Sequence, residues 1–355
     1  MLLWNLTSCT SATVNVIAAF FLMNRKKLTI KDIALKANVS KSTVSRVLND
    51  TTPVNEIKRQ AVLDAMKELN FKPNVFARSL AGGKSMTIGI ITAGSPFYES
   101  IAKAVIAALN PTNYTAIIVD GQWQESLERN AITTLVERQV DGLLAIGAAL
   151  DIEAFNELGT SIPLVMVGRK APGRVCLNID NKKAAKDAIQ HLIDLGHTRI
   201  AHIMGKSNHP DAIMRYAGYK EAMTQAGLAV PGDLFAQGDF TYGSGKMAAE
   251  TMLDAGATMT AVFAANDQMA LGARLAFYQR GIKVPDDVSI IGFDNQPISE
   301  FSIPPLTTIA QPGLAMGRAA SKMLLDVINN RPPETPNFVG ELIVRSSTSS
   351  VKQPS

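Results

Sequence analysis

From residue 86 onward the chain repeats one pattern: a short apolar run rich in Val and Ile, a turn, then a longer amphipathic stretch. Runs at 87–91, 116–119, 142–146, 163–167, 199–204, 261–265 and 288–292 read as strands, and 125–139, 182–195 and 269–279 read as helices. Strands and helices in alternation bury both faces of a sheet when the strands are parallel and the crossovers right-handed. There are too many units for one sheet of ordinary size, so the pattern predicts two similar lobes. Ligands of such sheets bind beyond the C-terminal ends of the strands, which between two lobes means a cleft.

The 60-odd residues before this repeat have a different character. Residues 24–84 carry thirteen Lys/Arg against five Asp/Glu, while the whole chain is only +4 and residues 1–23 carry no charge. A basic head on a mildly acidic body predicts a polyanion partner for the head alone. The head reads as three short helices. Thr29 caps the first, with Asp32 in its first turn and Ile33, Ala34 and Ala37 inward, and Asn38-Val39 turns the chain. Ser40 caps the second, Lys41–Leu48, with Val44, Val47 and Leu48 on one face and Lys41, Ser42, Ser45, Arg46 and Asn49 on the other. Asn55 caps the third, whose inward stripe is Ile57, Ala61, Val62, Ala65, Met66 and Leu69. Two short helices joined by a four-residue turn, with hydrogen-bonding and basic side chains outward on the second, fit a DNA-reading helix-turn-helix. They also fit a small helical domain with a solvated basic face, and the pattern alone leaves both open.

The residues themselves narrow this. The stretch Val39-Ser40-Lys41-Ser42-Thr43-Val44-Ser45-Arg46-Val47-Leu48-Asn49 resembles the signature Val-Ser-x-x-Thr-Val-Ser-Arg-Val-Leu-Asn of the LacI/GalR family of bacterial transcription regulators. That resemblance implies that Lys41 and Ser42 choose bases and that Thr43, Ser45, Arg46 and Asn49 support them on the DNA, with the capping Thr29 and Ser40 at the phosphates. Residues 73–85 then form a hinge: Pro73 suits a helix start and Gly82-Gly83 a stop, around eight or nine residues too few to be stable alone. By the same resemblance the hinge helices of a homodimer pair in the minor groove, where Leu80 wedges between base pairs beside Asn74 and Arg78. The Gly-Gly-Lys-Ser at 82–85 is no phosphate loop, because Arg78 stands where a glycine is required and a strand follows.

At the predicted strand ends stand Phe97-Tyr98, Gly168-Arg169, Asn266-Asp267 and Asp294-Asn295, with His209, Asp211, Arg215 and Phe240 in the neighbouring turns. Asp and Asn at such positions often merely cap helices. Aromatic faces ringed by Asp, Asn and Arg also suit a polyhydroxylated ligand, the rings covering C–H groups and the charged forks taking hydroxyls. Similarity of 266–273, 292–295, 304–309 and 195–201 to the family extends the resemblance over 28–349. It implies an α/β two-lobed effector domain like the periplasmic binding proteins, with an N-terminal all-α helix-turn-helix domain. Arg215, Asn266 and Asp294 are then the effector-gripping trio, and Phe97 and Phe240 stacking walls. Tyr98, Arg169, His209 and Asp211 complete the candidate effector site, although relatives often carry an acid where this chain has Gly168-Arg169.

The expected organisation is an extraneous segment at 1–23, a DNA-binding domain at 24–72, the hinge at 73–85, an effector-binding and dimerisation domain at 86–349 and a tail at 350–355. Segment 1–23 lacks the leading positive charge of a signal peptide, and its longest unbroken apolar run is too short to span a bilayer, so translation from Met23 is expected. Two cysteines, Cys9 and Cys176, make no disulfide framework, which suits the cytoplasm. The four histidines do not share metal-ligand spacing and no catalytic constellation stands out, so no enzyme, metal or cofactor is expected. The expected partners are operator DNA, a sugar or sugar derivative as effector, and a second copy of the chain, with no membrane. A periplasmic sugar-binding protein is the competing reading, against which residues 28–85 speak: an exported sugar binder has no use for a basic head and hinge.

Overall fold

The computed structural model describes residues 28–49, 52–71, 84–157, 161–169, 171, 173–230 and 232–351. The chain divides into two compact units, before and after residue 86. Asn74, Arg78 and Leu80 of the expected hinge, and the segment 1–23, lie outside the described residues.

The first unit holds three helices, α1 (Ile30–Lys36), α2 (Lys41–Asn49) and α3 (Glu56–Glu68). Ile33, Ala34, Val44, Val47, Val62 and Ala65 form its small core. The caps are where the side-chain chemistry places them: the Thr29 amide and hydroxyl both donate to Asp32 Oδ2 (2.8 and 2.7 Å), and Asn55 Oδ1 accepts the Ile57 amide (3.0 Å). Asn38 turns the chain at φ +52, a left-handed conformation that Asn tolerates better than most residues. Ile57 corrects the expected stripe. It lies 81% exposed at the start of α3, one position off the face that carries Val62 and Ala65.

The second unit contains two sheets. The first is five-stranded and wholly parallel, in the order β2 (Thr115–Asp120), β1 (Thr87–Thr92), β3 (Gly142–Ile146), β4 (Leu164–Val167), β5 (Val175–Leu177). Helices α4 (Pro96–Leu109), α5 (Glu125–Glu137) and α6 (Ile152–Glu157) connect its strands. After α7 (Asn181–Asp194) the second sheet begins with β6 (Ile200–Met204), α8 (Pro210–Gln225), β7 (Phe235–Gln237), α9 (Tyr242–Asp254), β8 (Ala261–Ala264) and α10 (Asp267–Gln279). Then follow β9 (Ser289–Asp294), α11 (Pro297–Phe301), β10 (Thr307–Ala310), α12 (Gly313–Ile328) and β11 (Glu341–Ile343). Its strand order is β11-β10-β9-β8-β6-β7, parallel except for β11.

Period-two alternation places the cores. In β3, Leu144 and Ile146 face the same core as Ile88 and Ile90 of β1, while Leu143 and Ala145 face the opposite one with α5. Near residue 311 the chain returns to the first lobe, where α12 packs along α4, and β11 afterwards rejoins the second sheet. Lobe-to-lobe strands therefore lie near 180, 311 and 335, and the cleft sits between the two sets of strand C-termini.

Candidate functional site

A cavity of about 390 Å³ opens where the two sets of strand ends face each other. Phe97, Tyr98, His209, Asp211, Arg215, Phe240, Asn266 and Asp294 all line it. Two of the aromatic walls are seated by glycines just past a strand. A Cβ at Gly147 would fall 2.3 Å from the Tyr98 ring, and one at Gly205 would fall 2.1 Å from that of Phe240. Each ring therefore sits where only a bare backbone leaves room.

The charged floor is built around Arg215 on α8. Its Nε donates to Asn181 Oδ1 (2.8 Å), one terminal nitrogen donates to the Ala265 carbonyl (2.5 Å), and its plane lies 3.7 Å from the Phe293 ring centroid. Asp294 and Asp211 flank it at 3.7 and 3.8 Å, close enough for attraction but too far for a direct hydrogen bond. Asp211 bridges the lobes: its carboxylate accepts from Tyr98 Oη (3.0 Å) in one lobe and from Asn181 Nδ2 (2.9 Å) where the chain enters the other. Burial pushes the Tyr98 hydroxyl up, with the Asp211 charge adding to it, so it stays a donor. Burial pushes the Asp294 carboxyl up to about 7, although Arg215 pulls the other way. Its backbone is held at φ +113, a region L-residues avoid, and Gln311 Nε2 donates to its Oδ1 (2.6 Å). A carboxylate, a guanidinium and a second carboxylate, all buried and only partly satisfied by one another, can take several hydroxyl groups in a fixed geometry.

Asn266 does two structural tasks as well: Oδ1 caps α10 on the Met269 amide (2.9 Å), and Nδ2 holds the Phe240 carbonyl (2.9 Å). Arg169 departs from the expectation. It is absent from the cavity lining, and its guanidinium donates instead to the carbonyls of Ala148 and Ala149 in its own lobe, where β3 ends. Trp123, Lys206 and Gln268 line the cavity without having been anticipated. Asn181 and Gln311 orient the charged floor from the crossings between lobes. The signal for Trp123 was its place just past a strand; for Asn181 and Gln311 the sequence carries none.

In the head, a shallow depression between α1 and α2 is lined by Lys31, Asn38, Ser40, Lys41, Thr43 and Lys58, among others. Ser40 caps α2, its Oγ accepting from the Thr43 amide (3.1 Å) and lying 2.7 and 2.9 Å from the hydroxyls of Ser42 and Thr43. Lys41, Ser42 and Arg46 are exposed on the same helix, with Thr43 and Ser45 half-buried, and Asn49 ends it. No group of His, Cys, Asp and Glu able to hold a metal occurs among the described residues, and no helix among them is long and apolar enough to cross a membrane.

Comparison with known proteins fits both halves. Residues 29–74 match the model of bacterial regulatory proteins of the lacI family, and 189–348 match a periplasmic binding protein-like domain. The HTH-type transcriptional repressor CytR of Escherichia coli K12 is 37% identical over 327 residues, 90% of this chain and 96% of that protein. A lac repressor dimer, bound to operator and the anti-inducer ONPF, superposes with a TM-score of 0.80 at 29% identity, over 91% of this chain and all of the other. A complex of the transcriptional regulator CelR with cellobiose does so with a TM-score of 0.67 at 32% identity, over 90% and 99%.

Proposed function

The chain belongs to the LacI/GalR family of bacterial transcription regulators, and we propose that it is a repressor of sugar-utilisation genes, released from or bound to its operator by a sugar or sugar derivative held in the interlobe cleft. The observation that carries the effector reading is the buried Arg215 between Asp211 and Asp294, walled by Tyr98 and Phe240. On this reading Lys41 and Ser42 read bases, and Thr29, Ser40, Thr43, Ser45, Arg46 and Asn49 hold the DNA backbone. Asn74, Arg78 and Leu80 serve in the minor groove, and the protein works in the cytoplasm beside its DNA.

A two-fold dimer suits a pseudo-palindromic operator. An apolar face on the second lobe supports it: Tyr278 on α10, Phe301 at the end of α11 and Ile303 beyond it are 80, 77 and 88% exposed. Arg274 ties that turn to α10 by donating to the Pro304 carbonyl (3.0 Å). Large side chains so exposed and so grouped fit the core of an interface with a second copy.

Genome-wide DNA capture with the protein, repeated with a panel of sugars and nucleobases, tests the reading. One palindromic site, abolished or created by a single compound, is the expected result and gives the effector and its sign together. Sugar binding without any site enriched would return the chain to the periplasmic reading.

A further inference from the structure

In the cavity lining beside the charged floor three side chains meet, of which only His209 belongs to the candidate effector site above. Trp123 comes from the turn between β2 and α5 in the first lobe; Lys206 and His209 come from the turn between β6 and α8 in the second. The indole stacks on the His209 ring with centroids 4.9 Å apart and planes 23° apart, and Lys206 Nζ lies 5.0 Å from the indole centroid. His209 in turn meets Phe240 edge-on at 5.0 Å. The contact therefore runs from lobe to lobe rather than along one wall.

Both sides of it are rigidly mounted. Gln122 and Trp123 are both left-handed, at φ +50 and +53, and the Gln122 amide donates to Asp120 Oδ1 (2.9 Å). Gly121 lies under Glu128, whose Cγ would be 2.4 Å from a Cβ there, and Glu128 is itself buried, accepting from the amides of Ala149 and Leu150. On the other side His209 Nδ1 accepts the Asp211 amide (3.2 Å), and burial holds the imidazole down to about 4, so a neutral ring faces the indole at physiological pH. The indole Nε1 is buried with no hydrogen-bond partner, which leaves ring contact and the Lys206 charge as what holds the indole across the gap.

We propose that Trp123, stacked on His209 and faced by Lys206, is a roof that joins the two lobes and sets the size limit of the effector cleft, admitting a ligand of one sugar ring with its substituents and excluding a second ring on that side. This rests on the effector reading above. Because the roof acts on ligands by their size, its removal alters the ranking of ligands more than the strength of the grip at Arg215.

The chain has two tryptophans, so Trp4→Phe leaves Trp123 as the sole emitter. In that background His209→Ala is expected to red-shift the emission and raise the acrylamide quenching constant about twofold, since the ring that shields the indole is gone. Calorimetric titration with D-glucose, D-ribose and cellobiose supplies the second readout. The unsubstituted protein is expected to bind a monosaccharide at least about tenfold more tightly than cellobiose. Trp123→Ala should shrink that ratio about tenfold, and Trp123→Phe should restore most of it. Emission indifferent to His209→Ala, or cellobiose bound as tightly as the monosaccharides, overturns the roof. An emission shift as expected with none of the three sugars bound overturns the sugar reading, and with it the size limit, while leaving the stack.

Discussion

Asp294→Asn should stabilise the effector domain at pH 8 and leave it nearly unchanged at pH 4. The side chain is 11% exposed, and burial raises its carboxyl from 3.8 to about 7 despite Arg215 at 3.7 Å. Burial therefore outweighs the ion pair, and the ionised form is the strained one. Below pH 4 the carboxyl is protonated in folded and unfolded chains alike. Between about 4 and 7 the folded protein holds a proton the unfolded chain has released, so stability falls as pH rises, by at most about 1.4 kcal/mol per pH unit. Above 7 the loss is complete and constant. The ceiling over that window is roughly 4 kcal/mol. The neighbouring carboxylate charges of Asp267 and Asp211 supply part of that rise, which brings the part belonging to burial of Asp294 itself to the order of 2 kcal/mol. Asparagine keeps the shape without the charge. The loss of Arg215's attraction to the ionised carboxyl is already contained in that net shift, and Asp211 still stands 3.8 Å from the guanidinium. The slope is therefore the readout. Urea unfolding at pH 5, 6, 7 and 8 should show the difference between the variant and the parent growing with pH and levelling near 7. A difference independent of pH would refute the reasoning, and one shrinking with pH would mean that the Arg215 pair dominates.

Three further outcomes are expected on the proposed function. Arg46→Ala should weaken binding to all DNA and reduce the salt slope of log K by about one unit, as loss of one phosphate contact requires; an unchanged slope in filter-binding titrations removes Arg46 from that role. Ile303→Asp or Tyr278→Asp should turn the dimer into monomer in sedimentation velocity without altering the far-ultraviolet spectrum, because a charge replaces exposed apolar surface rather than core. Leu80→Ala should lower operator affinity and DNA bending in a gel-shift phasing assay while effector affinity stays nearly the same, and equal bending in both proteins sinks the wedge.

What the sequence disclosed and what it hid divide along one physical line. Phe97, Asn266 and Asp294 were legible because each lies within a few residues of a predicted strand's C-terminal end, and in a parallel sheet that position is fixed by local pattern, whereas Phe240 was reached only through the family resemblance. The three-residue strands β5, β7 and β11 were not, since three residues are too few to show alternation. Arg169 follows a strand too, yet the nearest acceptors for its fork are carbonyls of its own lobe, and no local pattern encodes where a long side chain ends. Asn181, at the start of α7, and Gln311, in a loop, are ordinary polar residues; their roles come from the chain crossing between lobes beside Arg215 and Asp294, a long-range fact.

The same line explains why the bland and functional readings of a strand-end residue are not alternatives. Asn266 caps α10 with its oxygen and holds the Phe240 loop with its nitrogen, so it is the helix cap that an Asn at a strand end suggests. It also lines the cavity, and by fixing Phe240 it fixes the ring that His209 meets edge-on, and through His209 the Trp123 stack. A substitution such as Asn266→Ala would release the helix cap and the aromatic wall together. Loss of effector binding in that variant would therefore not by itself distinguish a lost helix cap from a displaced wall, whereas Asn266→Ser, which keeps a capping oxygen but cannot reach the Phe240 carbonyl with an N–H, separates the two.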